Sequence, residues 1–238
     1  GLDLKHLFVG SEGVLGIITR AVLQARPAPQ ALQTALLAVE TRDRLPELLT
    51  VLRDKLRGLS SLEMITQESI TLYKEVEPEA RLPFERSYPA CVIVEEETGA
   101  GESERDSFLE RLSSVLESGL AVDAVVAESD TQARRIWSLR DGVTEAISRA
   151  GLTHKFDVTV PPAAMPAFLD QMEAFGEEAG ELRTLLFGHL GDGNIHVNMM
   201  QMPGLSQAAF YAKGPALAER IYGHVAKLHG SISAEHGI

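Results

Sequence analysis

The chain has 238 residues, with 22 lysines and arginines against 34 aspartates and glutamates, which gives a formal net charge of −12. This acidic balance argues against nucleic-acid binding, which needs clustered basic side chains to offset phosphate charge. A hydrophobic fraction of 45% is typical of a folded globular protein rather than a disordered one.

The two ends of the sequence indicate cuts through a longer protein. There is no initiator methionine and no signal-peptide pattern at the N-terminus, and the chain stops at Ile238 without a polar tail. The longest run without charged side chains, residues 193–212, contains several polar residues, so no transmembrane segment is predicted.

The first 30 residues predict little regular structure. A short helical turn is expected over residues 3–8, followed by a glycine-rich turn that leads into a strand ending at Thr19. Two closely spaced prolines then predict a linker at residues 25–29, because proline opposes both helices and central strands.

From residue 32 onward, apolar patterns predict strands alternating with amphipathic helices. The predicted strands cover residues 32–39, 59–65, 90–97, 121–127, 153–160, 182–189 and 194–200. The predicted helices cover residues 44–57, 67–76, 102–118, 129–150, 162–179 and 205–229. The single cysteine, Cys91, excludes an intrachain disulfide and is expected to be a buried strand thiol. This arrangement favours an α+β fold with a largely antiparallel sheet, helices mainly on one face, and two ferredoxin-like halves.

The strongest local signal is the segment Gly188-His189-Leu190-Gly191-Asp192-Gly193-Asn194-Ile195-His196-Val197-Asn198. An Asp-Gly pair between an apolar run and an alternating run predicts a β-hairpin. We expect the hairpin to place His189 and His196 opposite each other, with Asn198 on the same face as His196. Two imidazoles at that separation can share a divalent metal ion. The alternative is that both rings only pack within the sheet.

The C-terminal residues offer a third metal ligand. Successive side chains of an extended segment point in opposite directions, so we expect Glu235 to complete the site and His236 to point toward a substrate. Two histidines and one carboxylate with an open position are typical of a catalytic metal site. The alternative is a solvated chain end.

A group that holds a carboxylate is predicted on the long helix at residues 129–150. Arg140 and Thr144 are four residues apart and share one helix face, where a guanidinium and a hydroxyl can together bind a carboxylate. Lys155, at the start of the next strand, can add a third contact. The alternative is an ordinary solvated or ion-paired surface arginine.

Taken together, these segments resemble the FAD-linked oxidases of the vanillyl-alcohol-oxidase type. Two neighbouring segments are similar to the end of their FAD-binding domain: Gly1-Leu2-Asp3-Leu4-Lys5 and Leu7-Phe8-Val9-Gly10-Ser11-Glu12-Gly13-Val14-Leu15-Gly16-Ile17-Ile18-Thr19. The hairpin and Ser233-Ala234-Glu235-His236-Gly237-Ile238 are similar to the metal and catalytic motifs of their C-terminal domain. Within this family the chain most resembles the D-2-hydroxyacid dehydrogenases, a group that includes the dehydrogenases of D-lactate and D-2-hydroxyglutarate and the FAD subunit of glycolate oxidase. The resemblance implies that residues 1–26 are a remnant of the FAD-binding domain and that residues 27–238 form the substrate- and metal-binding domain.

The resemblance also implies a role for each matching residue. It implies that His236 is the general base and that a divalent metal, usually zinc, is bound by His189, His196 and Glu235. The implied substrate contacts are Arg140, Thr144, Lys155 and Asn198. The implied contacts to the flavin are Ser11, Glu12, Gly13, Gly16 and Ile18.

The implied reaction is the oxidation of a small D-2-hydroxy acid to a 2-oxo acid, by metal-assisted removal of the hydroxyl proton and hydride transfer to FAD. An unidentified acceptor would then reoxidise the flavin. We expect a cytoplasmic location or one peripheral to the inner membrane, and a homodimer is left open. Without the family's large N-terminal domain, the chain alone is expected to bind FAD poorly or not at all and to be inactive. Two alternatives are a metal-dependent hydrolase that uses the same two histidines and glutamate, and a noncatalytic module.

Overall fold

The computed structural model describes residues 2–236; Gly1, and the last two residues of the C-terminal motif, Gly237 and Ile238, lie outside the described residues. Seven strands are present: β1 Ala31–Val39, β2 Leu59–Thr66, β3 Ala90–Thr98, β4 Asp123–Val126, β5 Thr153–Thr159, β6 Leu182–His189 and β7 Asn194–Gln201. Six α-helices are present: α1 Leu45–Lys55, α2 Gln67–Val76, α3 Glu102–Glu117, α4 Asp130–Ala150, α5 Met165–Ala179 and α6 Gln207–Lys227. The predicted strands and helices from residue 32 onward therefore agree with the structure to within a few residues.

All seven strands form one antiparallel sheet in the order β4-β1-β3-β2-β6-β7-β5. The order β4-β1-β3-β2 is that of a ferredoxin-like unit. Strands β5, β6 and β7 repeat this order, with a single antiparallel bridge between Thr159 and Ser231 in place of a fourth strand. The two units join edge to edge where β2 pairs with β6. The α+β class and the two ferredoxin-like halves are thus confirmed.

The sheet is covered on both faces, and each face carries its own apolar core. Helices α1, α3, α5 and α6 pack on one face, around side chains such as Phe108, Phe168 and Phe210. Helices α2 and α4 pack on the other face, around a smaller set that includes Ile93 and Leu139. Four of the six helices therefore lie on one side, as predicted. Cys91 is buried in the smaller core, and burial raises the pKa of its thiol to about 12.

The N-terminal segment does not form the strand predicted to end at Thr19. Residues 4–7 form a short 3₁₀ helix as expected, but residues 16–29 contain neither helix nor strand. Among the described residues no neighbouring strand offers this segment backbone partners, and a strand needs such partners to form. Its apolar side chains are consequently exposed, Ile17 at 89% and Ile18 at 62%.

The β6–β7 hairpin forms as predicted, but its register differs from the expectation. His189 pairs with Asn194, and His196 pairs with Phe187, so the two histidines are diagonal rather than directly opposite. The loop at residues 190–193 is longer than the tight turn expected from Asp192 and Gly193, and this shifts the pairing. Gly193 closes the loop at φ +78°, where a Cβ would lie 2.1 Å from the carbonyl oxygen of Val160. Glycine is therefore required at this position.

Candidate metal and substrate site

An open cleft of about 770 Å³ lies on the face of the sheet that carries α2 and α4. Its floor is the outer half of the sheet, formed by β5, β7 and β6, and α4 forms one wall. Polar and charged side chains, most of them singled out by the sequence, line the cleft together with aromatic and aliphatic ones: Arg140, Thr144, Ile147, Lys155, Phe156, Asp157, Phe187, His196, Asn198, Tyr222, Ile232, Glu235 and His236. No helix of the described part of the chain is both long and apolar enough to cross a bilayer.

Three imidazoles surround one carboxylate oxygen at an end of this cleft. Glu235 Oε1 lies 3.5 Å from His189 Nε2, 3.7 Å from His196 Nε2 and 3.2 Å from His236 Nε2. The rings of His189 and His196 are 5.4 Å apart and nearly perpendicular. The structure thus brings together the three predicted metal ligands and the predicted base.

Glu235 and His236 do not point in opposite directions, as the sequence interpretation expected. The backbone bends at both residues instead of running extended, so alternation of side chains does not apply there. Both backbone N–H groups donate to Asp157 Oδ2, at 3.0 Å from Glu235 and 3.1 Å from His236. This pair of hydrogen bonds holds both side chains on the same side of the chain.

The donor distances fit a divalent metal ion. Zinc lies about 2.0–2.1 Å from histidine nitrogen, which places two tetrahedral ligands roughly 3.4 Å apart. The separations around Glu235 Oε1 lie on either side of that value. The tightest group of possible ligands differs from the predicted three: Asp157, His196, Glu235 and His236 each have a donor atom within 4.8 Å of the others, and this group contains His196 and Glu235 but not His189. Asp157 Oδ1 is also buried without a well-aligned hydrogen-bond donor in the described part of the chain, as expected of an oxygen that faces a cation.

An acidic residue from a neighbouring strand lies beside the Nδ1 atom of each hairpin histidine. Glu63 of β2 pairs with His189 in the sheet register, and its Oε1 accepts a hydrogen bond from His189 Nδ1. Asp157 of β5 pairs with His196, and its Oδ1 lies 3.2 Å from His196 Nδ1 without the alignment of a hydrogen bond. In both rings Nε2 faces Glu235. Such carboxylate–histidine pairs orient metal-binding histidines in many proteins.

The two histidines differ in their pKa values. The hydrogen bond from His189 to Glu63 is the main cause that raises the pKa of His189 to about 9. Burial, and then the positive charge of Arg140, lower the pKa of His196 below its usual value. At neutral pH His196 is therefore ready to bind a metal, whereas His189 must first lose a proton.

Arg140 and Thr144 lie on the same face of α4 and line the cleft, as predicted. Arg140 Nη1 donates to Thr144 Oγ1 at 3.0 Å, and Arg140 Nε donates to Glu63 Oε2 at 2.8 Å. The guanidinium lies 4.4 Å from the ring centre of Phe187. The arginine is thus not a solvated surface residue: its side chain is only 12% exposed and is fixed on three sides.

Lys155 and Asn198 are register partners on β5 and β7, and both line the cleft. Within residues 2–236, no carboxylate lies within ion-pair distance of the Lys155 ammonium, so its charge is available to an anionic ligand. Asn198 is buried and donates weakly to the carbonyl oxygens of His196 and Leu185, at 3.3 and 3.4 Å. These two residues therefore extend the polar lining from the histidines toward the outer edge of the sheet.

The residues predicted to contact the flavin are not part of this cleft. None of them lines it, and all lie in the segment without sheet contacts described above: Ser11, Glu12, Gly13, Gly16 and Ile18. The roles of these five positions therefore stay a prediction.

Sequence reasoning missed Glu63 and Asp157. Glu63 is a lone charge in the apolar strand segment Leu62–Ile65, and it is only 7% exposed. An unpaired charge at a core position is a usable signal, because such a residue needs a partner. Asp157 lies between the apolar residues Phe156 and Val158 and shares a strand face with Lys155. This alternation is ordinary for a half-exposed strand, so Asp157 gave a weaker signal than Glu63.

A comparison with known protein families identifies the family of this domain. The model of the family described as FAD linked oxidases, C-terminal domain, matches residues 28–238, and the chain belongs to this family. The division of the chain at residues 26 and 27 stays a prediction.

Curated relatives match along the whole chain. The chain is 36% identical to D-2-hydroxyglutarate dehydrogenase of Xanthomonas citri pv. viticola, and the matched region covers 100% of this chain and 50% of that protein. It is 34% identical to the mitochondrial D-2-hydroxyglutarate dehydrogenase of Arabidopsis thaliana, with 100% and 42% covered. It is 30% identical to a putative mitochondrial D-lactate dehydrogenase of Schizosaccharomyces pombe, with 100% and 46% covered. The chain thus spans half or less of the length of these three relatives.

Solved structures share the fold at much lower sequence identity. An alkyldihydroxyacetonephosphate synthase superposes with a TM-score of 0.64 at 16% identity, over 99% of this chain and 46% of that one. p-Cresol methylhydroxylase superposes with a TM-score of 0.60 at 9% identity, over 87% of this chain and 46% of that one. At these identities the likeness concerns the fold alone.

Proposed function

We propose that this chain is the substrate- and metal-binding part of a flavin-dependent dehydrogenase that oxidises a D-2-hydroxy acid to the 2-oxo acid. The observation that carries the proposal is the convergence of three imidazoles on Glu235 in a cleft that Arg140 lines from α4 and Lys155 lines from β5. The names of the curated relatives support this substrate class.

The cationic side of the cleft binds and orients the acid. Arg140 offers its remaining N–H groups to a substrate carboxylate, and the Thr144 hydroxyl lies beside them. Lys155 adds a second positive charge from β5. Fixing the carboxylate at these residues directs the 2-hydroxyl carbon toward the histidines, which lowers the entropic part of the barrier.

At the other end, His236 accepts the proton of the 2-hydroxyl. A histidine ring nitrogen is a common general base when it lies within hydrogen-bond reach of the proton that it removes. His189, His196 and Glu235 would hold the divalent metal, which when bound supplies Lewis-acid stabilisation of negative charge on the hydroxyl oxygen. FAD, bound elsewhere in the complete enzyme, supplies the acceptor for the C2 hydride. Zinc as the metal, the cytoplasmic or inner-membrane location, the homodimer and the identity of the final electron acceptor stay predictions from the sequence.

The test uses the full-length enzyme that contains this chain, and measures reduction of its bound flavin by D-2-hydroxy acids under anaerobic conditions. His236→Asn is expected to slow flavin reduction at least about 100-fold, since a positioned base contributes about that much. Glu235→Gln is expected to reduce both the bound metal and the rate. His229→Asn is the matched control, because His229 is exposed outside the cleft and its φ of +57° suits asparagine.

A rate near that of the parent enzyme for His236→Asn would contradict the proposed base. Hydrolysis of esters or amides without flavin would instead favour the metal-dependent hydrolase. If the full-length protein carries no flavin and no metal, the noncatalytic alternative gains support.

A further inference from the structure

Glu63 is a buried acid that contributes to both ends of the site without lining the cleft. It comes from β2, in the first ferredoxin-like half, whereas His189 comes from β6 in the second half. Their positions are paired across the short junction between the halves. A carboxylate placed at this junction therefore connects the two halves chemically as well as through the backbone.

Each carboxylate oxygen of Glu63 has its own partner. Oε1 accepts from His189 Nδ1, and Oε2 accepts from Arg140 Nε at 2.8 Å. A carboxylate has no hydrogen to donate, so the Nδ1 atom of His189 must carry the proton in this contact. Nε2 of His189 faces Glu235 and is the nitrogen that binds a metal ion once it has lost its own proton.

The same residue also fixes which atoms of Arg140 remain free. With Nε bound to Glu63 and Nη1 bound to Thr144, the guanidinium has little freedom to rotate. Its outer N–H groups are therefore presented to the cleft in one orientation. A fixed fork is what bidentate binding of a carboxylate requires.

We propose that Glu63 is a positioning residue that couples the metal-binding histidine to the arginine that binds the substrate carboxylate. This inference rests on the proposed function. It assigns Glu63 no contact with substrate or metal. The proposed role requires both carboxylate oxygens of Glu63 as acceptors. A residue that only fills space in the core would not need them.

Glu63→Gln is the critical variant, because glutamine has nearly the same shape but only one acceptor oxygen. The glutamine carbonyl oxygen can accept from either His189 or Arg140. Its NH₂ group then faces the N–H of the other residue, and two donors cannot form a hydrogen bond with each other. In the full-length enzyme we expect the affinity for Zn²⁺, titrated against a chromophoric chelator, to fall about 10- to 100-fold. We also expect KM for a D-2-hydroxy acid to rise at least about tenfold. In contrast, Arg140→Lys should raise KM without weakening Zn²⁺ binding.

Glu96→Gln provides the matched control. Glu96 is a buried strand glutamate that also engages both oxygens, accepting from Arg111 at 2.6 Å and from the Gly58 backbone at 3.4 Å, but it does not line the cleft. It should lower thermal stability comparably while leaving Zn²⁺ affinity and KM unchanged.

The inference is overturned if Glu63→Gln keeps both Zn²⁺ affinity and KM within about twofold of the parent, or if Glu96→Gln changes them equally. A parent enzyme that binds no Zn²⁺, with a flavin that D-2-hydroxy acids do not reduce, would contradict the proposed function itself. The two failures are thus distinguishable. Glu63→Asp provides a second comparison, because it keeps the negative charge and both acceptor oxygens on a shorter side chain. Its Zn²⁺ affinity should lie between that of Glu63→Gln and that of the parent.

Discussion

Asp157 is expected to control whether the C-terminal segment is docked at the site. Its Oδ2 accepts two backbone hydrogen bonds, from Glu235 and His236. Removing them by Asp157→Ala should cost about 1 kcal/mol each, the value for an ordinary hydrogen bond rather than the larger one for a charged acceptor, because the donors are solvent-exposed. The sum of about 2 kcal/mol corresponds to a roughly 30-fold smaller docked population.

Hydrogen exchange of the C-terminal peptide, followed by mass spectrometry, measures this population directly. Asp157→Ala should accelerate exchange at the Glu235 and His236 amides about 30-fold, and should weaken Zn²⁺ binding because Glu235 is no longer held in place. Asp157→Asn retains an acceptor oxygen and should have a smaller effect on exchange. Asp123→Ala removes a comparable strand aspartate, which accepts from Tyr88 and Ala124 at the opposite edge of the sheet.

Unchanged exchange at both amides in Asp157→Ala would refute this reasoning. An equal acceleration in Asp123→Ala would show that the effect is a general loss of stability. If Asp157→Ala loses metal binding without any change in exchange at these amides, Asp157 is instead a direct metal ligand.

Three further expectations follow from the geometry. Because the pKa of His189 is raised to about 9, its protonated form stabilises the metal-free fold fully below pH 6.5, and this stabilisation is lost as the pH rises through 9. Urea unfolding at several pH values should show this loss of stability. Between pH 6.5 and 9 the affinity for Zn²⁺, measured by calorimetry, should increase up to about tenfold per pH unit, because metal binding displaces the His189 proton. Arg140→Lys should raise KM at least about tenfold with kcat nearly unchanged in steady-state assays, and an unchanged KM would remove Arg140 from the substrate site. Gly193→Ala should lower the free energy of unfolding by at least about 1 kcal/mol in urea titrations, owing to its φ of +78°; a stability equal to the parent would show that the loop adapts.

The sequence predicted the elements well because their signals are local. The hydrophobic period identifies helices such as α4, and the Asp192-Gly193 pair identifies the β6–β7 hairpin. Alternation also placed His196 and Asn198 correctly on one face. These features depend on residues that are near one another along the chain, so no knowledge of the sheet order was needed.

The parts that were missed depend on contacts between distant segments. The diagonal offset of His189 and His196 follows from the loop conformation, which the turn residues alone did not specify. Glu63 reaches His189 only because β2 and β6 are neighbours, and nothing local to either strand indicates this. The bend at Glu235 and His236 is likewise held by Asp157, which is far away in sequence.

The junction between the two ferredoxin-like halves has a consequence for how the molecule responds to stress. Strands β2 and β6 pair over only three residues, Glu63–Ile65 with Phe187–His189, whereas β6 and β7 pair over eight. Separation along this seam would therefore require breaking far fewer ladder bonds than opening the hairpin. Glu63 lies on one side of this seam and His189 on the other, whereas each apolar core includes residues of both halves and holds them together. A local opening confined to the three paired residues would therefore lower metal affinity before the sheet unfolds as a whole.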